Sequence, residues 1–228
     1  MNDGKKKPKK ESREIMERAE MYATKKLEWS ILLRLKHVRR YIKSLPIWCF
    51  FTNYDRNLAK PKHLAVELDG VIVYSSFKKP PRRHDFEIVY HLCGKIHKEY
   101  VIVRPMLWDL IKTCSQWYKL YIYTRREQVS ADLIIEGIEN GKAIFSKKLY
   151  KRDCNIIKDK YTKDVKKIGK DERTTVILEC ENMNYPNKLP VTTYQGDGQD
   201  CGLMSTIVIL DALRYCMDVR SILDLDNL

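Results

Sequence analysis

The spacing of apolar residues changes near residue 63. Before that point, one set of apolar residues recurs at steps of three and four, which lines one face of a helix over residues 14–45. The set is Ala19, Ala23, Leu27, Ile31, Leu35, Val38, Ile42 and Leu45. Pro46 ends this pattern, and an aromatic cluster of Trp48, Phe50 and Phe51 follows it. Residues 14–51 are therefore predicted to be one amphipathic helix with an aromatic segment after it.

From residue 63 onward, short apolar runs alternate with amphipathic stretches. The runs predict strands over residues 63–68, 86–92, 99–103, 120–123 and 175–178. The stretches predict helices over residues 105–118, 127–138 and 203–216. The second and third strands flank a Cys-Gly-Lys sequence, which is typical of a hairpin. We expect an α/β fold with a mainly parallel sheet and a small β-hairpin insertion.

The positive charge is concentrated in the N-terminal part. The 228 residues carry a formal net charge of +13. Residues 1–62 contain 17 Lys and Arg against 7 Asp and Glu, whereas the remainder contains 26 against 23. This asymmetry favours an anionic partner for the extension. The seven cysteines are scattered without a C-x-x-C pair, which is typical of a reducing compartment and not of a disulfide framework or zinc site.

The chain divides into three predicted parts. Residues 1–13 form a disordered basic tail, whose lysine run is either a nuclear import signal or a solvated tail. Residues 14–60 form a basic amphipathic helix and an aromatic linker. Within them, residues 14–51 either bind an anionic membrane surface or pack on the domain or a partner. Residues 61–228 form the folded domain. The sequence has no apolar run long enough to span a membrane and no secretory signal.

Polar side chains follow three of the predicted strands. Glu67 and Asp69 come at the end of the first, Thr124 after 120–123, and Glu179 after 175–178. Sites in open parallel sheets form beyond the carboxyl ends of the strands. Together with Lys163, these carboxylates suit a magnesium-dependent phosphoryl site, in which the metal and the lysine offset the phosphate charge. The alternative is a set of solvated acids at strand ends.

Several motifs resemble one family in order and spacing. They are ELDGV at 67–71, IVYS at 72–75, RP at 104–105, YTKDV at 161–165 and the segment at 210–223. The segments at 115–118 and 120–124 are similar to the family's second motif. Residues 63–223 thus resemble the C-terminal-domain phosphatases of the haloacid-dehalogenase superfamily, and most of all the Dullard-type nuclear envelope phosphatases. The resemblance implies a Rossmann-like haloacid-dehalogenase fold.

The resemblance also implies roles for the site residues. Glu67 stands where the family has the aspartate that attacks a phosphoserine or phosphothreonine. Asp69 stands at the acid/base position, and Thr124 and Lys163 stand where the phosphoryl oxygens are held. Mg²⁺ would be bound by Glu67, by the backbone carbonyl of Asp69 and by Glu179. The implied partners are a phosphoprotein substrate or pseudosubstrate and a membrane-bound regulatory subunit, with no specific nucleic acid.

The sequence departs from the family pattern at the nucleophile and the metal ligands. Glu67 and Glu179 replace aspartates, Cys180 replaces an asparagine, and the following segment is shorter. A displacement of about 1 Å in a reacting atom costs about a hundredfold in rate, and Mg²⁺ requires near-octahedral oxygen ligands. We therefore expect a binding or regulatory protein of weak or absent turnover. The alternative is an active magnesium-dependent protein Ser/Thr phosphatase that uses Glu67 or water as nucleophile.

The resemblance and the N-terminal charge also bear on localisation. We expect the nuclear envelope or endoplasmic reticulum membrane, on its cytoplasmic or nuclear face, with the nucleus or mitochondrion as alternatives. The mitochondrial alternative is disfavoured because the N-terminus is rich in lysine and contains glutamates, whereas transit peptides are rich in arginine and poor in acids.

Overall fold

The computed structural model of this chain describes residues 62–81, 83–169, 171–181, 186–214 and 216–223. The predicted basic tail (1–13) and amphipathic helix with its linker (14–60) lie outside these residues. The strands, in chain order, are β1 Lys62–Val66, β2 Val73–Ser76, β3 Phe86–Leu92, β4 Lys95–Val103, β5 Tyr118–Tyr123, β6 Lys147–Leu149, β7 Asn155–Ile157, β8 Lys160–Thr162, β9 Thr175–Glu179 and β10 Lys188–Pro190. The helices are α1 Leu107–Cys114, α2 Gln128–Glu139, α3 Gly202–Leu213 and α4 Arg220–Leu223.

Five parallel strands form the central sheet in the order β10-β9-β1-β5-β6. The register pairs Val66 of β1 with Ile122 of β5 on one side and Leu178 of β9 on the other. These strands read as continuous apolar runs because the sheet is buried on both faces. The prediction of an α/β fold with a mainly parallel sheet is confirmed.

The predicted hairpin insertion is a separate antiparallel sheet in the order β2-β4-β3. Its two-residue turn holds Cys93 at φ 51° and Gly94 at φ 73°, the left-handed backbone that such a turn requires at both positions. The predicted strand 99–103 is longer, because β4 begins at Lys95. The turn therefore consists of Cys93 and Gly94, whereas the predicted strands left residues 93–98 between them.

The first predicted helix, 105–118, is too long at its carboxyl end. Helix α1 ends at Cys114, and residues 115–117 form a turn that leads directly into β5 at Tyr118. Tyr118 is buried in the sheet, where it pairs with Lys62. An apolar residue that follows a helix at helical spacing looks the same in sequence whether the helix continues or a strand begins.

The short strands β2, β6, β7, β8 and β10 were not predicted. Each has only three or four residues, too few for a periodic pattern. In the part of the chain that the structure describes, no helix is long and apolar enough to cross a lipid bilayer.

Candidate active site

The site lies where three neighbouring parallel strands end. Glu67 directly follows β1, Thr124 directly follows β5, and Glu179 is the last residue of β9. Since these strands are adjacent in the sheet, their carboxyl ends meet at one edge. Lys163, which follows β8, brings its Nζ atom to 2.8 Å from Glu67 Oε2 and 2.8 Å from Glu179 Oε2. The structure therefore brings together the residues that the sequence singled out.

Glu67 is buried, with 2% of its surface exposed. Its Oε1 atom accepts a hydrogen bond from the backbone N–H of Leu68 at 2.8 Å. Its Oε2 atom accepts one from the backbone N–H of Arg125 at 3.3 Å and also faces Lys163. Both carboxylate oxygens are thus held by groups of the protein.

Glu179 is fully buried and has an equally complete set of partners. Its Oε1 atom accepts hydrogen bonds from the backbone N–H groups of Cys180 at 2.9 Å and Glu181 at 3.2 Å. Burial alone would raise the pKa of Glu179, but the positive charges of Lys163 and Arg125 and their hydrogen bonds lower this pKa to about 2. The carboxylate is therefore ionised at neutral pH.

Arg125, which the sequence analysis did not single out, lies among three carboxylates. Its Nη2 atom is 2.9 Å from Glu179 Oε1, 3.2 Å from Glu181 Oε1 and 3.6 Å from Glu67 Oε2. Burial opposes the charge of the guanidinium, but Glu67 and Glu179 outweigh that effect and raise the pKa of Arg125. Its Nη1 atom is buried without a hydrogen-bond partner among the described residues.

The neighbouring Arg126 holds the carboxylate at the predicted acid/base position. Its Nε atom donates to Asp69 Oδ2 at 2.8 Å and its Nη2 atom to Asp69 Oδ1 at 2.9 Å. Behind it lies the buried Glu99, which accepts from Nη1 at 3.1 and 3.0 Å and also from the hydroxyl of Tyr90. Burial and this hydrogen bond raise the pKa of Tyr90 to about 12. Ser75 donates a further hydrogen bond to Asp69 Oδ1 at 3.1 Å.

Cys180 contacts the backbone of the first motif. Burial, followed by the negative charges of Glu179 and Glu67, raises the pKa of the Cys180 thiol to about 11. The thiol therefore keeps its proton and donates to the backbone carbonyl of Asp69 at 3.4 Å. Gly70, at φ 72°, makes this approach possible, because a Cβ atom there would lie 2.8 Å from the Cys180 sulfur. Thr124 is also buried, and its Oγ1 atom accepts from the backbone N–H of Arg126 at 3.1 Å.

An open cleft of about 370 Å³ is lined by the charged residues Glu67, Asp69, Arg125, Arg126 and Glu181 of this site. One wall comes from the antiparallel sheet, through Tyr90 and Leu92 of β3 and through Phe77, which directly follows β2. The cleft has the dimensions of a ligand site. The carboxylates in this cleft, however, already form ion pairs with Arg125 and Arg126.

The carboxylates that the resemblance assigns to Mg²⁺ are paired with cations of the protein in this structure. Over the described ranges, no three side chains of His, Cys, Asp or Glu are disposed to hold a metal ion. The implied ligands already have partners: Arg125 and Lys163 face the carboxylates of Glu67 and Glu179, and Cys180 bonds the carbonyl of Asp69. The role of Glu67, Asp69 and Glu179 as Mg²⁺ ligands stays a prediction, and in this structure the protein's own cations face the carboxylates of all three residues.

Sequence reasoning missed Arg125, Arg126, Glu99 and Glu181. A signal for the two arginines was present, since they directly follow Thr124 at the end of a buried strand. The carboxylates that they bind come from three other segments of the chain, so no local pattern could pair them. Glu99 lies in the hairpin sheet, where it was predicted only as the start of a strand.

The fold and the strand-end residues together define a phosphatase domain of the haloacid-dehalogenase type. The chain belongs to the NLI interacting factor-like phosphatase family, whose model matches residues 62–220. A probable C-terminal domain small phosphatase of Dictyostelium discoideum is 29% identical over 72% of this chain and 54% of its own length. The CTD nuclear envelope phosphatase 1 homolog of Drosophila melanogaster is 28% identical over 73% of each chain. CTD nuclear envelope phosphatase 1B of Danio rerio is 26% identical over 86% of this chain and 87% of its own.

Solved structures support the same fold. The RNA polymerase II CTD phosphatase Fcp1 of fission yeast, in a variant form bound to beryllium fluoride, superimposes with a TM-score of 0.52 and 19% identity. This match covers 66% of our chain and 46% of the yeast chain. The chain thus spans about half the length of the Dictyostelium relative and of the yeast structure.

Proposed function

We propose that this protein is a family member with little or no phosphoester turnover, which acts by binding a partner. The ion pair of Asp69 with Arg126 carries this proposal. An acid/base group must give up a proton to the leaving group and later accept one from water. Arg126 donates to both oxygens of this carboxylate, at 2.8 and 2.9 Å, so the protein engages the two atoms that would have to face a leaving group and a water. Arg126 is itself fixed by the buried Glu99 behind it.

The group at the nucleophile position is equally constrained. Attack requires a lone pair that faces the substrate at about 3 to 3.5 Å. Glu67 is 2% exposed, and both of its oxygens accept hydrogen bonds or ion pairs from the protein. Lys163, which the resemblance assigns to the phosphoryl oxygens, is buried between Glu67 and Glu179. Turnover would require the ion pairs of Lys163 with Glu67 and with Glu179 to separate together when the substrate binds.

The relatives guide the choice of partner and location. Those of fly and zebrafish are named as nuclear envelope phosphatases. By analogy, we place this protein at the nuclear envelope or endoplasmic reticulum membrane, with residues 14–51 on the anionic surface. The proposed partners are a phosphoprotein, bound as substrate or pseudosubstrate, and a membrane-bound regulatory subunit. The wall of Phe77, Tyr90 and Leu92 offers apolar contact for a bound segment.

The test is a phosphatase assay on the purified full-length chain. A phosphoserine peptide is incubated with and without Mg²⁺, and released phosphate is measured. We expect no release above buffer for the natural chain, for Glu67→Asp, or for the triple variant Glu67→Asp, Glu179→Asp, Cys180→Asn. The triple variant corrects the family motifs but leaves Arg125 and Arg126 in the site, so recovery should also require Arg125→Ala and Arg126→Ala.

Two results would contradict this proposal in different ways. Magnesium-dependent turnover of about 1 per second or more by the natural chain, abolished by Asp69→Asn, would make it an ordinary phosphatase. Recovery in the triple variant alone would place the fault in the motif residues and not in the arginines.

A further inference from the structure

A single nitrogen atom of the protein lies where three carboxylates converge. Arg125 Nη2 faces Glu179 at 2.9 Å, Glu181 at 3.2 Å and Glu67 at 3.6 Å. Lys163 bridges Glu67 and Glu179 from another direction, at 2.8 Å to each. Convergence of several carboxylates on one point is the arrangement by which proteins hold a divalent cation. Here the point is occupied by a guanidinium.

Burial explains why this point requires a positive charge. Glu67 and Glu179 are almost completely removed from solvent. An ionised carboxylate in such a place is costly unless it is paired and hydrogen-bonded. Lys163 alone supplies one positive charge for two buried carboxylates. Arg125 supplies the second, and Glu181, which is 57% exposed, closes the cluster from the solvent side.

We propose that Arg125 is a resident cation that takes the place of a divalent metal ion at this edge of the sheet. The guanidinium is tethered to the chain immediately after β5, so it is present in every folded molecule at no cost of association. Its backbone N–H also donates to Glu67, which ties the residue to the cluster at two points. A metal ion would have to displace the guanidinium from two buried carboxylates before it could bind them.

Two consequences distinguish this arrangement from an ordinary metal site. First, the natural chain should fold and keep its stability in the absence of any divalent cation. Second, removal of Arg125 should let Glu67, Glu179 and Glu181 close around a cation, which these three carboxylates are not placed to hold in the natural chain. The Arg125→Ala variant would leave three carboxylates facing one ammonium, in a space that a guanidinium no longer fills. Cation binding and phosphoester turnover are separate measurements, so either result can fail without the other.

The test compares the full-length natural chain with Arg125→Ala in EDTA, Mg²⁺ and Mn²⁺. Thermal unfolding gives Tm, and calorimetric titration with Mn²⁺ gives the number of bound ions. For the natural chain we expect the same Tm in all three and no titratable site. For Arg125→Ala we expect a lower Tm in EDTA. At about 100 times Kd, the cation should raise that Tm by at least about 5 °C.

Two control variants identify the site. Arg125→Ala combined with Glu179→Gln should lose the response to cations, because one of the converging carboxylates is gone. Arg152→Ala removes the same charge from an exposed position and should respond as the natural chain does.

Each outcome of these measurements either supports or overturns the proposal for Arg125. One Mn²⁺ bound by the natural chain and lost in Glu179→Gln would overturn the proposal, since the metal would then displace Arg125. A folded Arg125→Ala variant that ignores both cations would also overturn it. If Arg125→Ala folds only in Mn²⁺, a cation site in this variant is supported directly. If Arg125→Ala folds neither in EDTA nor in Mn²⁺, the titration of the natural chain with Mn²⁺ still decides whether the proposal stands.

Discussion

Two consecutive arginines divide the carboxylates of the site between them. Arg125 pairs with Glu67, Glu179 and Glu181, whereas Arg126 pairs with Asp69 and Glu99. Adjacent residues reach separate groups because they lie in the turn between β5 and α2, where successive side chains diverge. The planar guanidinium suits this task, since its donors match carboxylate geometry at two points.

The lowered pKa of Glu179 predicts a loss of stability in acid. Its pKa falls from an ordinary 4.5 to about 2 in the folded protein. Because the folded pKa is depressed, this stabilisation is complete above about pH 4.5 and is lost as pH falls towards 2. The difference corresponds to about 3 kcal/mol at neutral pH. Urea unfolding of the natural chain and Glu179→Gln should therefore differ most at pH 7 and progressively less at pH 4 and pH 3.

The matched control for this prediction is Glu181→Gln. It removes the same charge from the same cluster, but at a side chain that is 57% exposed. Its effect should be small, because solvent screens the interaction. A stability difference for Glu179→Gln that stays constant from pH 7 to pH 3 would argue against the ion pairs as its source.

At the scale of elements, one buried arginine joins segments that are distant in sequence. Arg104 follows β4, and its side chain is fully buried. It donates to the backbone carbonyl of Val71 at 3.0 Å, to Thr192 Oγ1 at 3.1 Å, and to Asp200 at 2.7 and 3.0 Å. The region after β1, the end of β4 and the loop before α3 therefore meet at a single guanidinium.

This junction predicts a large effect for Asp200→Asn. The change keeps the shape of the side chain but leaves the charge of Arg104 without its carboxylate. Breaking a buried ion pair from one side costs about 3 to 5 kcal/mol. The expected result is a clear fall in the urea midpoint with an unchanged slope. Glu87→Gln is the control, because it breaks a surface pair with Lys98 and should leave the midpoint nearly unchanged. Equal midpoints for the two variants would contradict the role given to this junction.

At the scale of the whole molecule, the charge asymmetry predicts membrane binding through the N-terminal extension. Each basic residue near an anionic surface contributes about 1 kcal/mol, and salt weakens the attraction. The full-length chain should therefore co-sediment with anionic liposomes at low salt and dissociate as salt is raised. It should bind poorly to zwitterionic liposomes. Replacing Arg34, Arg39 and Lys43 by glutamate should release most of the bound protein.

A charge-matched variant separates the extension from the folded domain. Arg152, Lys158 and Lys160 are exposed residues at and beside the β7–β8 hairpin, next to the exposed Ile156 and Ile157. Changing these three to glutamate alters the net charge by the same amount. If this variant loses liposome binding as completely as the first, the membrane-facing surface lies on the domain and the prediction for residues 14–51 is wrong.

The sequence by itself determined the class of fold and the residues at the strand ends. Buried parallel strands are continuous apolar runs, so β1, β5 and β9 were visible locally, and with them the positions of Glu67, Thr124 and Glu179. Parallel strands bring their carboxyl ends to one edge, which made the common location of Glu67, Thr124 and Glu179 predictable. Lys163 follows the antiparallel β8, so only the family resemblance indicated its place beside Glu67.

Only the tertiary structure decided which charges neutralise one another. Arg126 lies 57 residues from Asp69 and 27 from Glu99, and Arg125 lies 54 residues from Glu179. Whether a carboxylate at a strand end faces a metal, a substrate or an arginine depends on side chains from distant segments. Ion pairing depends on distance in space and leaves no periodic pattern along the chain. Burial of apolar residues does leave such a pattern. The altered motif residues could therefore be named from sequence, but their pairing with the guanidinium of Arg125 could not.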